Sequence, residues 1–309
     1  MPLQHILSAA GPQAERIVAL WWLTVGICGA VTLAVLVAFV LALLRGRAGT
    51  AVGKVPHVPV GVAVAVSTLG LLVLIAASVA TDRALAKLPA EGALEVEVIG
   101  HKWWWEVRYK DLDPQREFTT ANELHIPVGR PVRLFLRSDD VIHSFWVPNL
   151  GGKKDLIPGR EAELLLRADR AGTYRGQCAE FCGAQHAKMA FFVFAEPPER
   201  FASWMQAQRK PAAEPAGELE RKGRDLFVRG TCASCHAILG TPANGRKAPD
   251  LTHVGSRSRI AAGVLPNEPQ ALADWIRDPH KHKPGVNMPA HALPKEQLQA
   301  LAAYLGSLR

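Results

Sequence analysis

Charge is missing where a soluble chain would carry it. No residue from Ile17 to Leu44 is charged, and none from Val60 to Ala80. About 20 apolar residues span a bilayer's hydrocarbon core, so both runs are long enough to cross it. Two such runs side by side exclude a single buried core helix as their explanation. Trp21 and Trp22 stand near the start of the first, where an interfacial belt places aromatic residues. Acid is missing from the connector at 45–59, which holds Arg45, Arg47 and Lys54. The positive-inside rule puts that connector in the cytoplasm and everything after Thr81 on the outer side. Residues 1–16 lack the apolar core of a signal peptide. The 309-residue chain has a net charge of +8 but no basic stripe with interleaved aromatics. That excludes a nucleic-acid surface and leaves solubility, or docking of an acidic partner, to account for the charge. No internal repeat is present.

Cysteine is scarce as well, with five in all. Cys28 lies inside the first apolar run and reads as a small packing residue. The other four form two close pairs, Cys178/Cys182 and Cys232/Cys235, each with histidine nearby. Metal binding and cofactor attachment explain more of these residues than disulfides do.

From about Leu94 the pattern turns to short alternating segments: LEVEVIG, WWWEVRYK, NELHIP, RPVRLFLRS, DVIHSFWVP, AELLLRA, GTYRGQC and MAFFVFA. In RPVRLFLRS, Val132, Leu134 and Leu136 share one face while Arg133, Phe135 and Arg137 share the other. Eight or so short strands over about 100 residues predict an antiparallel sandwich or barrel. Residues 196–217 are broken by proline and read as a short helix and a linker. Three amphipathic stretches follow, LERKGRDLFVRG, PQALADWIRDPH and PKEQLQALAAYLGSL. In the last, Leu298, Leu301, Tyr304, Leu305 and Leu308 recur at helical spacing as a core face. The expected fold class is a multidomain membrane protein. An N-terminal segment and transmembrane hairpin occupy 1–90, with helices at about 17–44 and 60–80. An all-β domain follows at 91–200, a linker at 201–217 and an all-α domain at 218–309.

The stretch Gln177–Met189, QCAEFCGAQHAKM, gathers Cys178, Cys182, His186 and Met189, and His143 in VIHSFWVP offers a second imidazole. Thiolate, imidazole and thioether are soft to borderline donors that suit copper. A mononuclear blue-copper site needs only one cysteine. The second lets both sulfurs bridge two metals, with one histidine on each, Met189 at one end and the Glu180 carbonyl at the other. Such a site spreads one electron over two metals held by rigid strands, which suits electron transfer and not substrate chemistry. A Cys178–Cys182 disulfide and a tetrahedral Cys2His2 zinc site are the alternatives.

The run CAEFCGAQHAKM resembles the CuA loop of cytochrome c oxidase subunit II. GHKWWWEV at 100–107 is similar to that family's aromatic segment, and DVIHSFWVPNLGGKKDLIPGR at 140–160 to the segment bearing its first copper histidine. With the two-helix hairpin, the resemblance covers 17–200. It implies a cupredoxin-like fold for the β domain. It implies His143, Cys178, Cys182, His186 and Met189 as side-chain CuA ligands, with Glu180 ligating through its carbonyl. It implies a magnesium ion at the Glu180 carboxylate on the boundary with subunit I, with Asp155 behind it. Trp103 takes the position of electron input from cytochrome c, and Asp140 that of an acid near the first copper histidine. The family often has a Glu before its second helix, tied to a proton pathway; here KVPHVPVGVA holds no acid and only His57.

Cys232-Ala-Ser-Cys235-His236 is the c-type haem attachment signature. The two thiols add across the haem vinyl groups and His236 becomes the proximal ligand. A thioredoxin-like CxxC is the alternative, but no βαβ pattern surrounds it. Met288 in KPGVNMPAH is the only methionine after the motif and the expected sixth ligand, a thioether that raises the reduction potential. His253, His280, His282 and His291 are rival ligands. The order of helix, CxxCH, loop, Met and helix resembles class I cytochrome c, with Pro249 and Leu251 as haem-edge residues.

Together the resemblances imply the electron-accepting subunit of a caa3-type oxidase in a bacterial inner membrane. Both outer domains would be periplasmic, and the chain would pass electrons from haem c to CuA and on to subunit I, where oxygen is reduced. The implied partners are the other oxidase subunits, the lipid bilayer and a donor that is a soluble or membrane cytochrome c or an upstream respiratory complex. A CuA-containing nitric oxide reductase subunit and a copper-delivery protein are the alternative functions.

Overall fold

The structure is a computed structural model, and it describes residues 4–45 and 57–309. Arg47 and Lys54, on which the orientation of the connector rests, lie outside the described residues. The chain divides into two compact units, Gln13–Pro89 and a second made of Met1–Pro12 with Ala90–Arg309.

The first unit holds two helices, α1 at Pro12–Leu44 and α2 at His57–Ala86. Both overrun the uncharged stretches. Proline at a helix start loses no hydrogen bond, because that N–H has no intrahelical partner, and Glu15 in the first turn complements the helix dipole. At the other end Asp82 and Arg83 end the apolar run of α2 without ending the helix. The apolar side chains face outward, Leu33 and Leu69 each at 63% exposure. Helices this long rise about 45–50 Å at 1.5 Å per residue, more than a hydrocarbon core requires. Both pass as membrane spans by length and composition.

The second unit begins with ten strands. These are β1 Leu94–His101, β2 Trp104–Tyr109, β3 Phe118–Ala121, β4 Glu123–Pro127, β5 Val132–Ser138, β6 His143–Trp146, β7 Lys154–Leu156, β8 Ala162–Leu166, β9 Gly172–Cys178 and β10 Ala190–Glu196. They form two five-stranded sheets, ordered β3-β2-β1-β5-β8 and β4-β10-β9-β6-β7. The sheets are mixed, which corrects the antiparallel expectation: β1 pairs with β5 and β10 with β4 in parallel. Parallel neighbours need a long crossover, so alternation within each strand does not reveal them. The two strands absent from the sequence reading, β3 and β7, have four and three residues, too few to show a period.

The core lies between the sheets. It includes Val96, Val98, Trp105, Val107, Leu134, Phe145, Phe191 and Val193, and also Cys178, Cys182 and Met189. Val132, Leu134 and Leu136 are fully buried, as the alternation requires. Each buried Val or Leu contributes roughly 1.5–3 kcal/mol.

Helix α3, Pro198–Gln208, is the short helix expected within 196–217. Phe201 and Trp204 anchor it on the β core. Trp204 stacks at 4.0 Å on His125, which stacks on Phe194 from its other side at 4.6 Å. His125 lies 3.0 Å from Glu196 and 3.8 Å from Glu123. Burial pulls its pKa down, but the two carboxylates outweigh this and hold it above the ordinary value. A raised folded pKa gives stability that is complete below about pH 6.5 and fades as pH rises through the raised value. His125→Gln should cost about 2 kcal/mol, the scale of a hydrogen bond to a charged group. Thermal unfolding should show the loss at pH 6, with the gap to wild type narrowing toward pH 9.

The remainder is helical: α4 Glu218–Arg229, α5 Pro269–Arg277 and α6 Lys295–Ser307. Glu220 accepts hydrogen bonds from the amides of Ala216 and Gly217 and caps α4. Gly223 is where α4 crosses α6, and a Cβ there would meet the Ala300 carbonyl oxygen at 2.0 Å. Only glycine lets the two backbones approach so closely. Leu298, Leu301, Tyr304, Leu305 and Leu308 are all buried beneath this crossing.

Residues 4–11 are tied to the β sandwich. Ala10 donates its amide to Asn149 O at 2.7 Å, and Asn149 Nδ2 donates to the carbonyls of His5 and Ser8. Nothing in the composition of residues 1–16 signals this.

Candidate metal and haem centres

The copper-type donors converge at one end of the sandwich. His143 opens β6, Cys178 ends β9 and Met189 immediately precedes β10, so three strand ends of one sheet meet there. The loop between Cys178 and Met189 carries Glu180, Cys182 and His186. The two sulfurs lie 3.8 Å apart and both cysteines are free, so the disulfide alternative is not realised. His143 Nδ1 lies 3.8 Å from Cys178 Sγ and His186 Nδ1 lies 3.6 Å from Cys182 Sγ. Met189 Sδ is 3.8 Å from Cys182 Sγ, and the Glu180 carbonyl is 3.2 Å from Cys178 Sγ. One imidazole therefore faces each sulfur, with a weak donor at each end.

Among the described residues, donor atoms of His143, Cys178 and Cys182 lie within 4.8 Å of one another, and His186 falls outside that group. A tetrahedral zinc site with bonds of 2.0–2.3 Å keeps its donors within about 4 Å of one another. The set here holds five side-chain donors, one more than such a site uses.

The electrostatics fit a metal that takes thiolate. Cys178 is lowered to about 3, first because Cys182 donates a hydrogen bond to it, then because His143 and the backbone at Glu180 and Ser144 offset its burial. Cys182 moves up, since the charge on Cys178 and its own burial oppose a second thiolate. Burial pulls His143 down, but its contacts with Asp140 and Cys178 hold it above the usual value. Asp140 Oδ1 lies 2.8 Å from His143 Nε2, leaving Nδ1 toward the sulfur. Asp140 Oδ2 accepts the Lys102 amide at 2.6 Å, which fixes the carboxylate. Fixing the far nitrogen orients a ligating ring and sets its tautomer.

Gly100, on β1, has a role the sequence reading missed. A Cβ there would lie 2.8 Å from His143 Cδ2, so any larger residue displaces the ring. Trp103 is buried, with Nε1 donating to Cys182 O at 2.9 Å. Trp105 Nε1 donates to Met189 O at 3.4 Å, so indoles steady both ends of the loop. Lys153 Nζ lies 3.3 Å from the Glu180 carboxylate and 3.9 Å from that of Asp155.

The CxxCH motif lies on the 3-10 turn Thr231–Ser234 and just beyond it. His236 Nδ1 lies 2.7 Å from Pro249 O, so the ring donates from Nδ1 and leaves Nε2 to ligate. Burial lowers its pKa, only partly offset by that hydrogen bond, and keeps the imidazole neutral as an iron ligand must be. Met288 and Cys232 pack against the same helical core. Two rivals of Met288 are engaged elsewhere: His253 Nε2 lies 3.0 Å from Lys210 O, and His280 Nδ1 accepts the Gly285 amide at 3.3 Å.

Two apolar helices, a cupredoxin-like sandwich with a buried thiolate–imidazole cluster and a helical CxxCH region define a membrane-anchored redox chain. Residues 113–195 match the family model for the cytochrome c oxidase subunit II periplasmic domain, and residues 220–309 match that for cytochrome c. The chain is 32% identical over 315 residues to cytochrome c oxidase subunit 2 of Alkalihalophilus pseudofirmus, covering 98% of this chain and 90% of that one. It is 34% identical over 260 residues to the same subunit of Bacillus sp. (strain PS3), covering 77% and 71%. Among solved structures it is similar to the periplasmic domain of subunit II of cytochrome oxidase of Bradyrhizobium japonicum. That match has 31% identity, 38% coverage of this chain, 93% of that one and a TM-score of 0.36. The chain belongs to the cytochrome c oxidase subunit 2 family.

Proposed function

We propose that this chain is the electron-accepting subunit of a caa3-type cytochrome c oxidase. The observation that carries the reading is the convergence of two cysteines, two histidines and a methionine at one end of the sandwich, in a chain that also bears CxxCH. A subunit II domain implies CuA and a cytochrome c domain implies haem c; together they supply two one-electron stations. Cys178 and Cys182 would bridge the copper ions, with His143 and His186 as terminal ligands and Met189 and the Glu180 carbonyl at the ends. Cys232 and Cys235 would hold the haem, with His236 and Met288 as axial ligands.

The functional boundaries we propose are a membrane segment over 1–90, a copper domain over 91–200, a linker over 201–217 and a haem domain over 218–309. The two helices would sit in a bacterial inner membrane with both domains in the periplasm. Subunit I would reduce oxygen, and a cytochrome c or an upstream complex would be the donor. Trp103 would serve as the point of electron input to the copper loop, a role its bond to Cys182 O supports. With Trp103 only 8% exposed, an external donor would deliver to the haem domain first. A magnesium ion at Glu180, with Asp155 behind it, would depend on ligands from subunit I. Without an acid before α2, this chain would not start a proton pathway there.

The relatives covered over most of their length are oxidase subunits, which favours oxygen over nitric oxide as the acceptor. Copper delivery requires exchangeable, open ligands, whereas His143, Cys178, Cys182 and Met189 are all buried. Metal analysis and EPR on the purified chain in detergent should find two coppers sharing one unpaired electron and one covalent haem. A mononuclear copper spectrum would refute the dinuclear assignment.

A further inference from the structure

The loop that bears Met288 also touches the copper loop. Lys188 Nζ, from the copper loop, donates to His282 O at 2.6 Å, and Gln185 Nε2 donates to Pro284 O at 2.6 Å. The residue between those carbonyls, Lys283, reaches the other way. Its side chain is buried, and its Nζ donates to Trp103 O at 2.8 Å and to Ala261 O at 3.3 Å.

Burial lowers the Lys283 amine to about 7, and an amine taken out of water is costly unless its donors are occupied. Neither of these acceptors is a carboxylate, so the arrangement is not an ion pair that could form anywhere on a surface. It joins three backbone segments: the Met288 loop, the Lys102–Trp103 turn beside the copper loop, and the turn at Ala261–Gly263.

That last turn is itself under strain. Ala261 and Ala262 both have φ of 56°, a region that alanine rarely adopts. Both carbonyls are engaged there: Ala261 O with Lys283, and Ala262 O with the amide of Ala190, the residue after Met189. Such conformations persist only where the surroundings over-determine them.

We propose that Lys283 is the positioning residue that seats the haem-bearing region on the copper loop, and so holds constant the separation across which the electron passes. Electron tunnelling falls exponentially with separation, so a fixed seat gives one fast rate. A domain held only by its linker must instead search for the productive arrangement. The proposal rests on the electron-accepting reading above.

The test uses the full holo chain, with haem c reduced by a photoexcited donor and re-oxidation by copper followed in time. Lys283→Met keeps the bulk of the side chain and removes its donors. It should leave the haem absorbance and copper EPR unchanged and slow the transfer about tenfold, on the scale that small misplacements cost. The slowed rate should become dependent on solvent viscosity, and Lys283→Arg should restore most of it. Transfer at the wild-type rate in Lys283→Met would overturn the proposal, as would a slow rate insensitive to viscosity and not restored by arginine. If Lys283→Met does not assemble, amine labelling of the wild-type chain decides: Lys283 should resist while exposed Lys281 reacts, and equal labelling would sink the idea. Absent copper or haem in the wild-type chain would count against the functional reading instead, so the two failures are distinct.

Discussion

Cys182→Ser should abolish the shared-electron copper signal and with it electron delivery to subunit I. Cys182 Sγ has three donors of the cluster around it: Cys178 Sγ at 3.8 Å, His186 Nδ1 at 3.6 Å and Met189 Sδ at 3.8 Å. A serine oxygen is a hard donor with a much higher pKa and does not bridge soft metals. Removing even a hydrogen-bonding partner of a metal ligand costs about 10–100-fold, so loss of a bridging ligand should exceed about 100-fold in transfer rate. The volume change is small and the backbone contact from Trp103 Nε1 to residue 182 remains, so the sandwich should stay folded. Copper content and EPR would check this together with far-UV circular dichroism. A retained two-copper signal would show that Cys182 is not a bridge.

His236→Ala should separate haem attachment from haem function. Cys232 and Cys235 remain, so the haem should stay covalently bound. Without the ring there is no nitrogen held toward the iron by the 2.7 Å bond to Pro249 O. The axial ligand is a main control of reduction potential, so the haem should become high-spin and its potential should shift. Electron input from an external donor should fall at least ~100-fold, the upper scale for disturbing a metal's surroundings. Copper EPR should be unchanged, because the copper donors belong to a separate core. Imidazole added to the buffer should restore low-spin character by filling the space the ring leaves. Normal input in His236→Ala would place the proximal ligand elsewhere.

Much of this was legible in one dimension because the relevant residues are close in sequence or follow a simple period. The membrane helices show as uncharged runs, since a lipid-facing helix has no polar face to interrupt it. The two cysteine motifs are local, and short spacing leaves few ways to arrange the donors. The alternation in Val132–Ser138 predicted its buried face correctly, because side chains on a strand alternate regardless of its neighbours. The parallel pairing of β1 with β5 was not visible, because register and direction depend on a partner dozens of residues away. Helix α3 stands where a short helix was expected, but only the fold shows that Phe201 and Trp204 pack it on the β core.

The soft-donor loop followed by CxxCH was determined by sequence alone. Ligand chemistry belongs to residue type, and within a short loop spacing constrains geometry. Tertiary structure alone decided which groups serve that site from a distance. Gly100 lies against His143 from a neighbouring sheet, and Lys283 reaches Trp103 from a position 180 residues away. A glycine and a lysine have no distinctive signature in a chain of this composition. Their roles arise only where folding brings distant segments together and removes water from between them.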